Sequence, residues 1–126
     1  MQKKIFTGLF LFLIAVLLWG SCSKDTVVPA QSTINPNLKI SFKDTIQPIF
    51  TGSCLGSACH SGSAKPNLVA GVAYTSLISG HYINTSSPAQ SILYTQMAPG
   101  GNMSKHCTQD QAFLVLAWIQ QGALDN

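Results

Sequence analysis

The sequence contains no arginine and no glutamate. Its fixed charges are seven lysines and four aspartates in 126 residues. Beyond the first 21 residues the lysines are Lys24, Lys39, Lys43, Lys65 and Lys105, set against Asp25, Asp44, Asp110 and Asp125, so that part is close to neutral. Nucleic-acid binding is excluded by this balance, because affinity for a phosphate backbone needs several clustered cations. No internal repeat and no sustained strand alternation is present, and no βαβ pattern that would frame a thiol–disulfide enzyme. The longest apolar run, residues 5–19, has about 15 positions against the roughly 20 that cross a bilayer, which ranks a transmembrane anchor well below an export signal.

What the run does describe is an export signal. Lys3 and Lys4 precede it, and the small residues Gly20 and Ser21 follow it, ahead of Cys22. A positive start, an apolar centre and a small-residue end are the parts of a secretory signal. Leu18-Trp19-Gly20-Ser21-Cys22 resembles the lipobox of bacterial lipoproteins, with Trp19 where that family usually carries an aliphatic residue. The resemblance implies a signal peptide over 1–21 and acylation of Cys22, with a lipid membrane as partner. Several acyl chains hold a domain at a membrane surface where one chain holds it weakly. Ser23, rather than Asp, after the cysteine implies sorting to the outer membrane of a Gram-negative bacterium, facing the periplasm or the cell surface.

Residues 22–37 are rich in Ser, Thr, Pro, Asn and Gln without an apolar face, and read as a flexible tether. The folded unit is then 38–126. A domain of about 90 residues buries little core and is often helped by a disulfide, a metal or a cofactor.

Helical spacing dominates that unit. Phe42, Ile46, Ile49 and Phe50 share one face over 41–50, with Pro48 expected to disturb or end the helix. A short helix is expected over 72–78, closed by Gly80. Ser87-Pro88-Ala89-Gln90 has the form of a capping box and predicts a helix running to Tyr94 or Gln96, broken by Pro99, Gly100 and Gly101. Thr108-Gln109-Asp110-Gln111 repeats the box and opens a mostly buried helix with the set Ala112, Phe113, Leu116, Ala117, Ile119 and Gln120, in which Phe113, Leu116 and Ala117 form a stripe widened by Leu114, Val115 and Trp118; Gly122 stops it. The fold class is therefore all-α, three to four short helices joined by Gly and Pro loops, with a few extended residues near Tyr82.

The chemistry sits in Cys54-Leu55-Gly56-Ser57-Ala58-Cys59-His60. Two thiols followed at once by a histidine form the pattern of c-type haem attachment: the thiols add to the haem vinyl groups and the histidine lies under the iron. The usual spacing is C-x-x-C-H, and here four residues separate the cysteines. Three other readings compete. A Cys54–Cys59 disulfide suits an exported protein but leaves His60 without a task. A zinc site could use both thiolates and His60 but needs a fourth ligand. A catalytic thiol pair lacks its usual setting.

A sixth iron ligand is sought among soft donors. Met97 precedes Ala98-Pro99-Gly100-Gly101, a loop that can bring its sulfur to a haem face, and Met103 is the alternative. His81 and His106 read as surface residues. The whole unit resembles the small bacterial class I c-type cytochromes with one haem, from the Ile46-Gln47-Pro48-Ile49-Phe50 run through the Met97 loop to Trp118-Ile119-Gln120-Gln121-Gly122-Ala123. Relatives often have Met-Pro-Pro where this chain has Met97-Ala98-Pro99. The resemblance implies a cytochrome c-like bundle around one haem c, with Cys54, Cys59, His60 and Met97 as cofactor-binding residues and His60 and Met97 on the iron. It also implies that the N-terminal helix packs across the C-terminal one. The expected function is electron transfer between redox proteins rather than enzymatic turnover. A haem sensor or peroxidase-like site with a labile Met97, and a non-haem disulfide or zinc module, are the alternatives. Cys107 is left without a partner. It is read as a small buried hydrophobe, or as a bridge to Cys54 with only Cys59 on haem.

Overall fold

The computed structural model describes residues 38–56 and 58–126. The expected signal peptide 1–21, the tether 22–37 and Cys22 lie outside the described residues. Among those described there is no strand, and no helix is long and apolar enough to cross a membrane. A π-helical turn, Phe42–Ile46, runs into α1, Gln47–Ser53. Helices α2, Ala73–Ser79, α3, Ile92–Met97, and α4, Gln109–Gln120, follow. Short 3₁₀ turns, Pro88–Gln90 and Ser104–His106, precede α3 and α4. The all-α expectation holds, with four helices among the described residues.

Pro48 does not end the first helix. Its ring would meet the carbonyl four residues back, at Asp44, and it has no N–H to donate there. The turn ahead of it widens instead: Ile46 N–H donates to Ser41 O at 3.2 Å, five residues back. Pro48 then sits in the first turn of α1, where a missing N–H costs nothing. Ser41 caps the start, its Oγ accepting from Asp44 N–H at 3.1 Å.

The expected cap at Ser87 is not used. Ser87 makes no side-chain cap bond, and Pro88–Gln90 is only a 3₁₀ turn. Ser91 breaks the helix there, at φ −58° and ψ 132°, because its buried hydroxyl is engaged elsewhere. Asn84 N–H donates to Ser91 Oγ at 2.9 Å, and the Ser91 hydroxyl donates back to Asn84 O at 3.3 Å. Helix α3 therefore begins at Ile92 and reaches Met97.

The second capping box is formed as written. Gln111 N–H donates to Thr108 Oγ1 at 3.2 Å, and Thr108 N–H donates to Gln111 Oε1 at 2.8 Å. Gly122, at φ 97°, closes α4 in the left-handed region. Its N–H donates to Ile119 O and that of Ala123 donates to Trp118 O, each at 3.0 Å, which satisfies the last carbonyls.

The buried face of α4 is narrower than the expected apolar set and is not centred on the Phe113, Leu116, Ala117 stripe. Ala112, Val115, Trp118 and Ile119 are buried, whereas Phe113, Leu116 and Ala117 are half-buried. Trp118 sets the rotation. Its ring lies 5.2 Å from Phe42 and its Nε1–H donates to Leu124 O at 2.9 Å. The two ends of the unit are tied at the same place. Phe42 N–H donates to Asn126 Oδ1 at 2.9 Å, and Ile40 N–H donates to Gln121 Oε1 at 2.8 Å. The π turn and α4 thus pack together, leaving residues 54–107 to build the rest.

This face makes a prediction. Trp118→Ala should cost about 3–5 kcal/mol, and Leu116→Ala clearly less, in urea unfolding followed by circular dichroism. Equal losses would restore the stripe read from sequence.

Candidate functional site

Helix α1 delivers the first cysteine. Cys54 caps it, its N–H donating to Phe50 O at 2.8 Å. The chain then folds back on itself: Cys59 N–H donates to Gly56 O at 2.8 Å, and His60 N–H donates to Cys54 O at 3.1 Å. Cys54, Cys59 and His60 come to line one cavity. Gly56 suits this turn, since a β-carbon there would stand 3.2 Å from Cys59 Sγ.

His60 is oriented by the next loop. Its Nδ1 lies 2.9 Å from Pro66 O. A carbonyl can only accept, so Nδ1 carries the hydrogen, and in the neutral ring Nε2 keeps a free lone pair. Metal-ligating histidines are held in this way, with the second nitrogen bonded to a carbonyl or carboxylate. Leu68 N–H donates to His60 O at 2.8 Å and fixes the backbone as well.

The cavity has a volume of about 420 Å³, within the ~300–1,000 Å³ usual for small-molecule and cofactor sites. Phe50, Leu68, Tyr82 and Leu93 give it apolar walls. The second reactive stretch of lining is Met97, Met103, His106 and Cys107. Met97 ends α3 and is only 5% exposed, whereas Met103 is 36% exposed. Between them the chain turns tightly against the end of α3. Met103 N–H donates to Gln96 O at 2.9 Å, and a β-carbon at Gly101 would collide with the Gln96 and Thr95 carbonyls.

All four residues singled out from the sequence, Cys54, Cys59, His60 and Met97, therefore line one cavity. His81 does not; it is exposed and takes φ 57° just after α2. Gly80 makes room for the Tyr82 ring at that corner. His106, read as a surface residue, is exposed but contributes to the lining. Cys107, read as filler, lines the cavity too and places its Sγ 3.3 Å from Met97 O. Sequence reasoning also missed the Pro66 carbonyl, for which a proline in a Gly–Ser–Pro loop is no signal. A second cavity of about 310 Å³, beside Trp118 and Leu124, holds no thiol or imidazole.

The three described thiols are free. Burial pushes the Cys54 thiol up from 9.0 to about 11, with Cys107 and then Cys59 adding their charge. Burial also raises Cys107. A thiolate at Cys54 is thus disfavoured near neutral pH in the cofactor-free chain. Among the described residues no three His, Cys, Asp or Glu side chains are placed to hold a metal ion. A haem makes a smaller demand, because its macrocycle supplies four ligands and the protein only two. Apolar walls, two thiols, an oriented imidazole and a buried thioether fit such a group.

No family model matches the chain, and no curated protein or solved structure matches it either. The functional reading therefore rests on this cavity and on the motif that lines it.

The cavity predicts an order of alkylation in the cofactor-free chain. The thiolate is the reactive form, and a shift from 9.0 to about 11 cuts the thiolate fraction of Cys54 about a hundredfold at pH 8. Exposed Cys59 should react with iodoacetamide well before Cys54, read by peptide mass. Because the neutral thiol is the folded form, the cofactor-free fold should also lose stability as pH rises from 9 toward 11. Cys54 reacting first would contradict the burial.

Proposed function

We propose that the chain is an exported, lipid-anchored electron carrier with one covalent haem c. The observation that carries the reading is a single apolar cavity lined by Cys54, Cys59, His60 and Met97, with the His60 ring held by Pro66 O at 2.9 Å. Bound there, the group would supply one-electron Fe(III)/Fe(II) exchange.

The residues divide the work. Cys54 and Cys59 would hold the group through thioether bonds. His60 would present Nε2, its ring orientation fixed by the Nδ1–H bond to the Pro66 carbonyl. Met97 would supply a soft sulfur, a pairing that raises the reduction potential. Phe50, Leu68 and Leu93 keep water away. Because His60 and Met97 would both hold the iron, no position would be left for a substrate, and the reading is electron transfer rather than enzymatic turnover. The near-neutral charge implies modest salt sensitivity in exchange with redox-protein partners. Acylation of Cys22, with 22–37 as a tether, would keep the domain at the outer membrane and raise its effective concentration near partners there.

Three measurements test this. Purified protein, matured in a host that attaches c-type haem, should give a pyridine haemochrome of the c type and an intact mass increased by one haem. A colourless protein of unmodified mass would sink the proposal. Met97→Ala should abolish the weak sulfur–iron charge-transfer band of the ferric protein, and survival of the band would move the ligand to Met103. Cys22→Ser should abolish incorporation of labelled fatty acid, and continued labelling would refute the anchor.

A further inference from the structure

The haem reading uses Cys54 and Cys59 and leaves Cys107 idle, yet Cys107 is the best-connected thiol in the cavity. It lies half-buried immediately before the Thr108 cap of α4. Its Sγ is 3.3 Å from Met97 O and 3.5 Å from Met103 O. Both are carbonyls of methionines that line the cavity.

The Met97 carbonyl needs a donor. It belongs to the last residue of α3, and the final four carbonyls of a helix have no partner within it. The rest of the loop is fastened locally. Ala98 N–H donates to Tyr94 O at 2.8 Å, and Asn102 Nδ2–H donates to Gln96 Oε1 at 2.9 Å. Those bonds hold 94–103 to itself. The thiol of Cys107 is the hydrogen bond that joins the end of α3 to the start of α4. Helix α4 is the longest helix among the described residues, twelve residues with both ends capped and the buried Trp118 in its last turn. Helix α3 has only six residues, too few to hold its shape without tertiary support.

We propose that Cys107 is a positioning residue: its S–H, donated to Met97 O, clasps the end of α3 to the capped start of α4 and so holds the Met97 side chain at the cavity. The inference rests on the haem reading above. A thiol suits the task. It is apolar enough to line the cavity and carries no charge to compete with iron ligands. One S–H facing two carbonyls favours the nearer, Met97, and leaves Met103 as a second acceptor.

The test uses the full-length, haem-loaded protein with Cys107→Ala and Cys107→Ser beside the parent. Imidazole is added to the ferric proteins at neutral pH, and displacement of Met97 is followed by loss of the sulfur–iron band. Without the clasp, Cys107→Ala should bind imidazole about three- to tenfold more tightly than the parent. Cys107→Ser, which keeps a donor, should return to within about twofold of the parent. Equal affinity in parent and Cys107→Ala overturns the proposal. A Cys107→Ser protein as labile as Cys107→Ala overturns it too, because the residue then acts by packing alone. Should the alanine variant fail to fold, the S–H stretching band of the parent decides. With Cys22 acylated and Cys54 and Cys59 in thioethers it belongs to Cys107. A band lowered by hydrogen bonding supports the clasp, and one at the free-thiol frequency refutes it. A parent without a c-type spectrum defeats the haem reading instead, and the clasp is then read from the same band in the Cys54→Ser/Cys59→Ser chain.

Discussion

Trp118 is fully buried, with Phe42 5.2 Å and Tyr74 6.5 Å from its ring centre. That cluster joins the π turn at the start of the unit, α2 in the middle and α4 at the end. Its indole N–H also holds the C-terminal segment through Leu124 O at 2.9 Å. A unit of about 90 residues has little core to spare, and here the aromatic contact concentrates it at the chain ends. Around it the backbone bonds to Asn126 and Gln121 close the N- and C-terminal segments on each other.

The consequence is a division of labour. The helices supply most of the buried core, while Cys54, Cys59, His60 and Cys107 lie in the turns and loops between them. Residues 54–68 and 96–107 make few regular bonds, yet each turn in them is tied by a specific one. His60 is held by Pro66 O, Met103 by Gln96 O and Cys107 by Met97 O. No buried side-chain polar atom among the described residues lacks a partner. Loops satisfied in this way can frame a cavity of about 420 Å³ without collapsing into it. A group that occupied the cavity in the folded state alone would add to stability by mass action, which is what a small core invites.

Two features of the cavity favour a large covalent cofactor over a bare ion. Its walls are largely apolar, with Phe50, Leu68 and Leu93 among them, and an isolated ion gains little from such walls. The half-buried Cys54 thiol is pushed up to about 11 by burial, so it stays neutral against those apolar walls. The imidazole, by contrast, is ready, since one nitrogen is spent on a carbonyl and the other is free.

Much of the local structure was legible in the residues themselves. The Thr108 box, the Gly122 stop and the helical spacing of Phe42, Ile46, Ile49 and Phe50 are short-range signals, and each is used as written. Adjacent Cys59 and His60, and the methionine before a Pro–Gly–Gly loop, pointed to the lining residues for the same reason. The failures are long-range. Ser91 abandons the helix predicted from Ser87 because Asn84 claims its hydroxyl. Helix α4 turns its Ala112, Val115, Trp118 and Ile119 face inward because Phe42 is where Trp118 must pack. Cys107 reaches the Met97 carbonyl ten residues back only because α3 and α4 are neighbours. Sequence by itself determined which residues could form helices and which could hold a cofactor, since caps, turns and ligand chemistry are properties of a few adjacent side chains. Only the tertiary structure decided which face of α4 is buried, which carbonyl orients His60 and that three thiols share one cavity, because those depend on partners that the chain brings together from a distance.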